Sequence, residues 1–465
     1  MLLDLSAELL EEIGSKLAHA DYVNLRAVCK DLDGAMQRLF FSVLVLTLGE
    51  HPKREDFVPI LLEMLQALGT GQTGWSTHAR TLRIRRGRGA TRQEAVTLPV
   101  SDDEMNNLLA SALKSIPKVH AVVWEARGHA EQDSSPWEKT TGTICEFLNT
   151  LTALDELQLD IQGTVDVSSL KVRGLRKFTL KSPRWGSRFD FSWMTPPPEP
   201  TMYADISQLV AKNQLASLHL EGTDEWSKVW RTLRTKSDEF PIKLTEITTN
   251  VVTPELFDYL NSYSGIEKLT LLDPDGGSHD KSDRLANTFF ETVVPHHATS
   301  LVELSCPAGY ESRFSFGTHN VDVISLLHKL ESLEMSINAE IPVASIGISV
   351  EAEQADINTV VTLLLETAAT LPFLRSLAIY SAETESNRGV WCGNGMINHT
   401  YAVDAAIEKA MQAFRSNVPC SAIVRAGSHT YELEPLSGQD PAREGDSDPD
   451  PERLGYQQKG WFSRF

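Results

Sequence analysis

Six arginines between positions 80 and 92 form the densest group of chemically useful side chains in the sequence, and no acidic residue lies among them. Guanidinium groups bind carboxylates and phosphates through paired hydrogen bonds. In this segment Leu82 and Ile84 are spaced as the buried residues of a strand, so Arg83 and Arg85 share its exposed face. At a rise of about 3.3 Å per residue, these two arginines lie roughly 6–7 Å apart. One interpretation of the pattern is a site for an acidic or phosphorylated segment. The alternative is a solvated edge that acids such as Glu125 neutralise.

Residues that could perform catalysis or bind a metal are few. Cys392 and His399 come nearest to a nucleophile pair, but the sequence places no residue to activate or orient them. His296 and His297 could ligate a metal, although histidines at a helix end more often bind carbonyl groups or face solvent. The loop at Asp273 lacks the glycine register and closing glutamate of an EF-hand, so we interpret it as a solvated turn. We expect no enzymatic activity, no cofactor and no metal site.

Composition and charge narrow the classes of protein to which the chain can belong. Its 465 residues exceed one ordinary compact core, which indicates several domains or a repeat array. A formal net charge of −20 disfavours nucleic acid as a partner. No apolar run approaches the roughly eighteen residues that span a bilayer, and no secretory signal is recognisable, so no membrane association is expected. The five cysteines are far apart without a CxxC pair, which favours the cytoplasm or nucleus.

A short frame of apolar residues, L-x-x-L-x-L, recurs along most of the chain and alternates with helical stretches. Its clearest copies begin at Leu154, Leu175, Leu215, Ile266, Leu301, Leu330 and Leu374. Each copy has the inward and outward alternation of a half-buried strand. A strand and a helix repeated at this scale resemble a leucine-rich-repeat solenoid, in which stacked units share one core. The predicted fold class is therefore α/β with parallel strands. A doubly wound α/β sheet is the alternative, but it has no reason to repeat the frame.

The frame also predicts which side chains line the open face of the sheet. If its second and third apolar residues face the core, the residues beside them face outward. The candidate substrate-binding residues are then Arg83, Arg85, Glu156, Gln158, Lys177, His219 and Tyr380. We expect Thr179, Lys268, Ser332 and Glu334 on the same face.

The first 46 residues follow a different pattern, with apolar residues three and four apart in three successive runs. This spacing predicts three short helices. Ser6 is placed to cap the first helix and Asp21 the second. Three helices of this length bury little core alone, and an ordinary helical cap would have the same periodicity.

The order of these residues resembles the F-box. The resemblance rests on Leu5-Ser6-x-Glu8-Leu9-Leu10-x-Glu12-Ile13-x-x-x-Leu17 and on Asp21-x-x-x-Leu25-x-x-Val28-Cys29-Lys30. It implies docking on a Skp-type adaptor and, through that adaptor, on a cullin-RING (SCF) ubiquitin ligase. The adaptor-binding residues that it implies are Leu5, Leu9, Leu10, Ile13, Leu25 and Val28. The sequence departs from the family at Ser6, where proline is usual, and at Gly14, where the loss of a bulky apolar residue removes a possible adaptor contact.

These patterns predict three parts: an F-box-like module at 1–46, a degenerate leucine-rich-repeat solenoid at 47–434, and a disordered acidic tail with an aromatic tip at 435–465. The tip is either a docking peptide or a segment that folds back on the solenoid. The expected function is that of the substrate-recognition subunit of an SCF-type ubiquitin ligase, which binds a protein substrate on its solenoid. The alternative is a leucine-rich-repeat interaction scaffold with no ubiquitin role.

Overall fold

A computed structural model describes most of the chain, in two compact units, Met1–Lys236 and Ser237–Phe465. The described residues are 5–17, 19–48, 57–86, 101–127, 137–163, 165–182, 200–235, 242–338, 350–385, 388, 394–416, 418, 420–435 and 454–461. The division into units falls inside the range 47–434 that the sequence assigns to one solenoid.

The first unit begins with three short helices, α1 (Ala7–Gly14), α2 (His19–Val28) and α3 (Lys30–Phe40). Ser6 caps α1 as predicted, because its Oγ accepts a hydrogen bond from the Leu9 N–H at 3.4 Å. Asp21 does not precede α2 as predicted; it lies within the first turn, since the helix already includes His19. A carboxylate there still favours the helix through its dipole.

The three helices pack around a small apolar cluster of Leu10, Leu32, Ala35 and Met36. Gly14 lies on this buried side of α1, where a Cβ atom would be 2.7 Å from Leu39 Cδ1. The expectation that Gly14 removes an adaptor contact is therefore wrong, because this glycine faces α3 and allows the two helices to approach. Arg26 joins α2 to α3: its Nε lies 2.6 Å from Asp33 Oδ1, and its guanidinium lies over the Phe40 ring.

The described residues of the first unit then form six parallel strands, and their order in the sheet is their order in the chain. The strands are β1 (Val43–Leu48), β2 (Thr81–Arg86), β3 (Ala121–Arg127), β4 (Glu156–Gln162), β5 (Lys177–Lys181) and β6 (Ser217–Glu221). The helices are α4 (Phe57–Gly69), α5 (Gly74–His78), α6 (Asp102–Lys114), α7 (Trp137–Thr150), α8 (Pro200–Ala211) and α9 (Ser227–Thr235), the last preceded by a 3₁₀ turn at Asp224–Trp226.

The second unit repeats this alternation and ends in antiparallel strands. Its strands are β7 (Glu246–Thr249), β8 (Lys268–Leu271), β9 (Glu303–Cys306), β10 (Ser332–Ile337), β11 (Ser376–Ser381), β12 (Arg415–Ser416), β13 (Ile423–Ala426), β14 (His429–Pro435) and β15 (Leu454–Trp461). Its helices are α10 (Pro254–Leu260), α11 (His279–Thr288), α12 (Val294–His297), α13 (Val321–Ser325), α14 (Val350–Ala369) and α15 (Asn394–Ala413), with a π turn at Phe289–Val293. Strands β7 to β11 and β13 are parallel, whereas β14, β15 and β12 pair antiparallel.

The frame residues form the core of each unit. Leu157 of β4 lies opposite Phe178 of β5, and Leu333 of β10 lies opposite Leu304 and Leu377, so successive frames are in register. All five of these side chains are buried. The predicted α/β class with parallel strands is therefore confirmed for the described residues.

Two asparagines at helix ends bind the segment that leads into β5. Asn213 is buried; its Oδ1 accepts the Leu175 N–H at 3.0 Å, and its Nδ2 donates to Val172 O at 3.1 Å and to Leu209 O at 2.8 Å. Asn149 makes similar bonds to the loop at 169–171 but is exposed. Neither role could be predicted from the sequence, because the partners are not neighbours in the chain.

Part of the predicted tail is a strand. Leu454–Trp461 forms β15, which pairs with β14 along its length. Tyr456 is buried, and its ring centroid lies 5.7 Å from that of Phe414. The prediction of disorder is wrong for these residues, because a buried aromatic ring and a ladder of main-chain hydrogen bonds offset the entropy of ordering them. The rest of the predicted tail, 436–453 and 462–465, lies outside the described residues.

Candidate interaction surfaces

A row of exposed apolar side chains runs along α1 and just beyond both its ends. Leu9 and Ile13 are four residues apart within α1, so they lie on one side of the helix, and Leu5 and Leu17 lie in the residues that flank it. Their exposed fractions are 37, 48, 46 and 39%. Exposed apolar rows of this kind mark surfaces that bind other proteins. We call these four residues the α1 row.

The six predicted adaptor-binding residues divide into two groups. Leu5, Leu9, Ile13 and Val28 are exposed, the last of them at the end of α2. Leu10 is a buried member of the apolar cluster, and Leu25 packs against that cluster. The structure therefore places Leu9 and Ile13 on one side of α1, with Leu5 exposed just before the helix, while Leu10 and Leu25 hold the helices that present them.

Arg83 and Arg85 face outward from β2, as the alternation of the strand predicts. Leu82 and Ile84 are buried on the opposite face, and both arginines are exposed. Arg85 Nε lies 3.8 Å from Glu125 Oε1, so the acid named in the alternative interpretation is in place. This distance exceeds that of a close hydrogen bond, and both groups remain partly hydrated.

Arg83 differs from Arg85. In the sheet it lies between Val45 of β1 and Val123 of β3. Within the described part of the chain it makes no ion pair or side-chain hydrogen bond. Arg83 is therefore an exposed cation with apolar neighbours on both sides.

Other candidate residues on the outer face of the first unit contact one another. Lys177 Nζ lies 3.0 Å from Glu156 Oε1 on the adjacent strand. Gln158 Nε2 donates to Asp160 Oδ1 at 3.0 Å, two residues along the same strand. These side chains face outward as predicted, but their polar groups are already paired.

His219 belongs to a three-residue network on the same face. Glu221 Oε1 lies 2.5 Å from His219 Nε2 and 3.1 Å from Lys181 Nζ. The hydrogen bond from His219, together with Lys181, outweighs the effect of burial and lowers the pKa of Glu221 to about 2. Glu221 therefore carries a negative charge at neutral pH, and it occupies both His219 and Lys181.

The outer face of the second unit is paired in the same way. Lys268 Nζ lies 2.6 Å from Glu303 Oε1, and this bond raises the pKa of Lys268. Arg425 Nη2 reaches Glu334 Oε1 at 2.7 Å across the intervening strand β11. Tyr380 of β11 is half-buried on its strand. Across both units, each outer face is a largely self-neutralised surface.

Three loops of the second unit meet beyond the carboxyl ends of their strands. Arg388 Nη1 lies 2.5 Å from Asp275 Oδ2, and its Nε donates to Glu385 Oε1 at 2.8 Å. Its guanidinium also lies 4.1 Å from the ring centroid of Tyr310. Burial alone would raise the pKa of Asp275, but hydrogen bonds from Arg388 and Ser282 lower it. The interpretation of this loop as a solvated turn is wrong, because Arg388 holds it against two other loops.

His399 binds a carboxylate in the same unit, whereas Cys392 lies outside the described residues. His399 Nε2 is 3.4 Å from Glu311 Oε1, and Thr400 Oγ1 donates to Glu383 Oε1. Both glutamates are buried. Burial alone would lower the pKa of His399, yet Glu311 and Glu383 raise it. The group is suited to fix α15 against two loops.

His297 links a helix end to a strand start. It is buried; its Nε2 lies 3.1 Å from Leu260 O, and its Nδ1 accepts the Ile266 N–H at 3.4 Å. Both ring nitrogens are therefore used, and burial lowers the pKa of His297 to about 4. Over the described ranges, no three His, Cys, Asp or Glu side chains are grouped as a metal ion would require. Nor does any helix described there combine the length and apolar character needed to cross a bilayer.

Comparisons with known proteins give little likeness. No family model and no curated protein matches the chain. Among solved structures, an endo-beta-mannanase/endo-beta-glucanase from Prevotella bryantii is 10% identical, with a TM-score of 0.15 over 80% of this chain and 49% of that one. The chain thus spans about half the length of that enzyme. A likeness at this TM-score carries no inference about fold or activity.

Proposed function

We propose that the protein is the substrate-recognition subunit of an SCF-type ubiquitin ligase and docks on a Skp-type adaptor through α1, α2 and α3. The observation that carries this proposal is the α1 row, which contains three of the residues that the F-box resemblance assigns to the adaptor. Burying a leucine or isoleucine side chain fully stabilises a complex by roughly 1.5–3 kcal/mol. Four half-exposed side chains in a row therefore offer several kcal/mol to a partner with a complementary groove.

A leucine-rich-repeat solenoid accounts for the strands that follow. Within each unit the parallel strands follow chain order, with one face buried and the other partly exposed. A doubly wound sheet instead reverses its strand order and covers both faces. The proposed substrate face comprises Arg83, Arg85, Glu156, Gln158, Lys177, His219 and Tyr380.

Such a receptor performs no covalent chemistry. It holds a protein substrate near the ubiquitin-charged enzyme of the cullin-RING ligase and so raises the effective concentration of the substrate. The sites of action are the cytoplasm or nucleus, where those partners operate.

Co-purification of the full-length protein with a Skp-type adaptor tests the proposal. Leu9→Asp combined with Ile13→Asp places two charges in the α1 row without altering the buried cluster. We expect this variant to lose the adaptor. Val23→Asp is the matched control, since Val23 is 53% exposed on α2 outside the row and its variant should retain the adaptor.

Circular dichroism must first show that both variants keep the helix content of the wild type. An adaptor that a folded Leu9→Asp, Ile13→Asp protein retains would contradict the assignment of the α1 row. A wild-type protein that binds no adaptor would favour the interaction-scaffold alternative.

A further inference from the structure

One edge of β1 presents unpaired main-chain groups. Ser42 O accepts the Thr81 N–H at 3.0 Å, so residues 42, 44, 46 and 48 turn their main-chain groups toward β2. Val43, Val45 and Thr47 turn theirs away. Trp75 Nε1 accordingly donates to Val43 O at 3.2 Å from that side. Among the described residues, nothing bonds the main-chain N–H and C=O of Val45 and Thr47.

The sequence of β1 does not protect this edge. Natural edge strands are blunted by lysine, proline or a bulge, or are very short. β1 has six residues, Val43–Leu48, of which only Thr47 is polar, and its register with β2 is unbroken. By contrast, β15 in the second unit carries Lys459 and pairs with β14 through a register shift between Thr430 and Tyr431.

The exposed face beside the edge is positively charged. Arg83 is the β2 neighbour of Val45, which is 39% exposed. A strand added to β1 would lie about 4.8 Å from β1 and roughly 10 Å from β2. An arginine side chain on β2 and a glutamate side chain on the added strand together span the distance between those two strands, because the residue between them, Val45, is small. Arg83 has no acidic partner among the described residues, and Arg85 has only the 3.8 Å contact with Glu125.

We propose that β1 binds an extended, acidic segment of a partner protein as an additional strand of the sheet. Main-chain hydrogen bonds to Val45 and Thr47 hold the segment, and pockets or charges beside alternate side chains select it. Acidic side chains on the outer face contact Arg83 and Arg85. This binding would serve the substrate side of the proposed function but requires no adaptor, so a peptide measurement and the adaptor co-purification can fail independently.

Fluorescence anisotropy of the full-length protein with a labelled peptide tests the proposal. The peptide has blocked ends, matches β1 in length and alternates glutamate with threonine. Val45→Pro removes the outward N–H and leaves the β1–β2 hydrogen bonds intact. We expect it to weaken binding about tenfold, through the lost hydrogen bond and the bulk of the ring. Arg83→Gln should weaken binding about two- to fivefold, the range of an exposed ion pair.

Matched controls separate charge from strand pairing. Lys212→Gln removes an exposed cation elsewhere in the first unit and should leave binding unchanged. A peptide with lysine in place of glutamate should not bind, and N-methylation of alternate peptide amides should abolish binding of the acidic peptide. If Val45→Pro does not fold, Thr47→Pro and the N-methylated peptide report on the same hydrogen bonds.

Binding of the lysine peptide as tight as that of the glutamate peptide would refute the proposal. So would full binding by a folded Val45→Pro protein or by the N-methylated peptide. Self-association of the wild type that Val45→Pro abolishes would assign the edge to a second copy of the chain. RNA binding that Arg83→Gln removes would assign the arginines to nucleic acid. Either of these results would overturn the proposal.

Discussion

Asn213 provides a direct test of how buried polar groups hold the loops of the first unit. Asn213→Ala would remove three hydrogen bonds at once, to Leu175, Val172 and Leu209. The Leu175 N–H is buried and would be left without its acceptor. Asn149→Ala is the matched control, because Asn149 binds its loop through two similar hydrogen bonds while exposed to water.

The two sites should differ in the free energy of unfolding because water replaces only the exposed bonds. A buried donor or acceptor left unsatisfied costs roughly 1–3 kcal/mol, whereas an ordinary hydrogen bond contributes about 0.5–1.5 kcal/mol net. We therefore expect Asn213→Ala to destabilise the first unit by about 2–3 kcal/mol and Asn149→Ala by about 1 kcal/mol or less.

Urea unfolding followed by circular dichroism measures the difference between the variants. Amide hydrogen exchange at Leu175 and its neighbours shows where the destabilisation lies. These amides should exchange faster in Asn213→Ala, because the loop opens more often once Asn213 no longer holds it. Equal destabilisation by both substitutions would refute the reasoning, since burial would then not decide the cost of the lost bonds.

Two histidines of the second unit should give opposite pH dependences. The raised pKa of His399 means that its protonated form stabilises the fold below the ordinary value of 6.5 and that this stabilisation is lost as pH rises through the raised value. Glu311→Gln should therefore flatten the fall in thermal midpoint above pH 6.5, and an unchanged fall would contradict the role of Glu311. The pKa of His297 is lowered to about 4, so the unfolded chain takes up its proton first and stability should decrease as pH falls from 6.5 toward 4. His297→Gln should flatten this decrease. His328→Gln, at an exposed site, is the control and should leave the dependence of stability on pH unchanged on both sides. A steep decrease toward acid pH in His297→Gln would refute the prediction.

The inner faces of the strands could be predicted because a local pattern determines them. In β4, Leu157 and Leu159 alternate with polar residues, and burial of one face fixes the direction of every side chain. The same reasoning oriented Arg83 and Arg85. The partners of outward charges could not be predicted in general, since pairing across strands requires the register.

Contacts between distant loops left no signal in the sequence. Asp275 and Arg388 are 113 residues apart, and nothing local to either identifies the other. The packing of Gly14 against α3 could not be predicted for a related reason, because a helical pattern does not reveal how closely the next helix approaches. The prediction of disorder for β15 depended on the acidic, proline-rich residues before it, which dominate the composition of the segment.

The strand order of the first unit also bears on how such a chain can grow and come apart. Each of β1 to β6 bonds only to the strands beside it in sequence, so duplicating or deleting one strand–helix unit would rewire no other pair. Arrays of this kind open from their ends, where a unit has one neighbour in place of two. β1 is such an end, and a ligand strand laid along it would become the new terminus. Fraying would then begin in the ligand strand. Binding of the ligand should therefore slow amide exchange in β1 more than in β2 or any later strand.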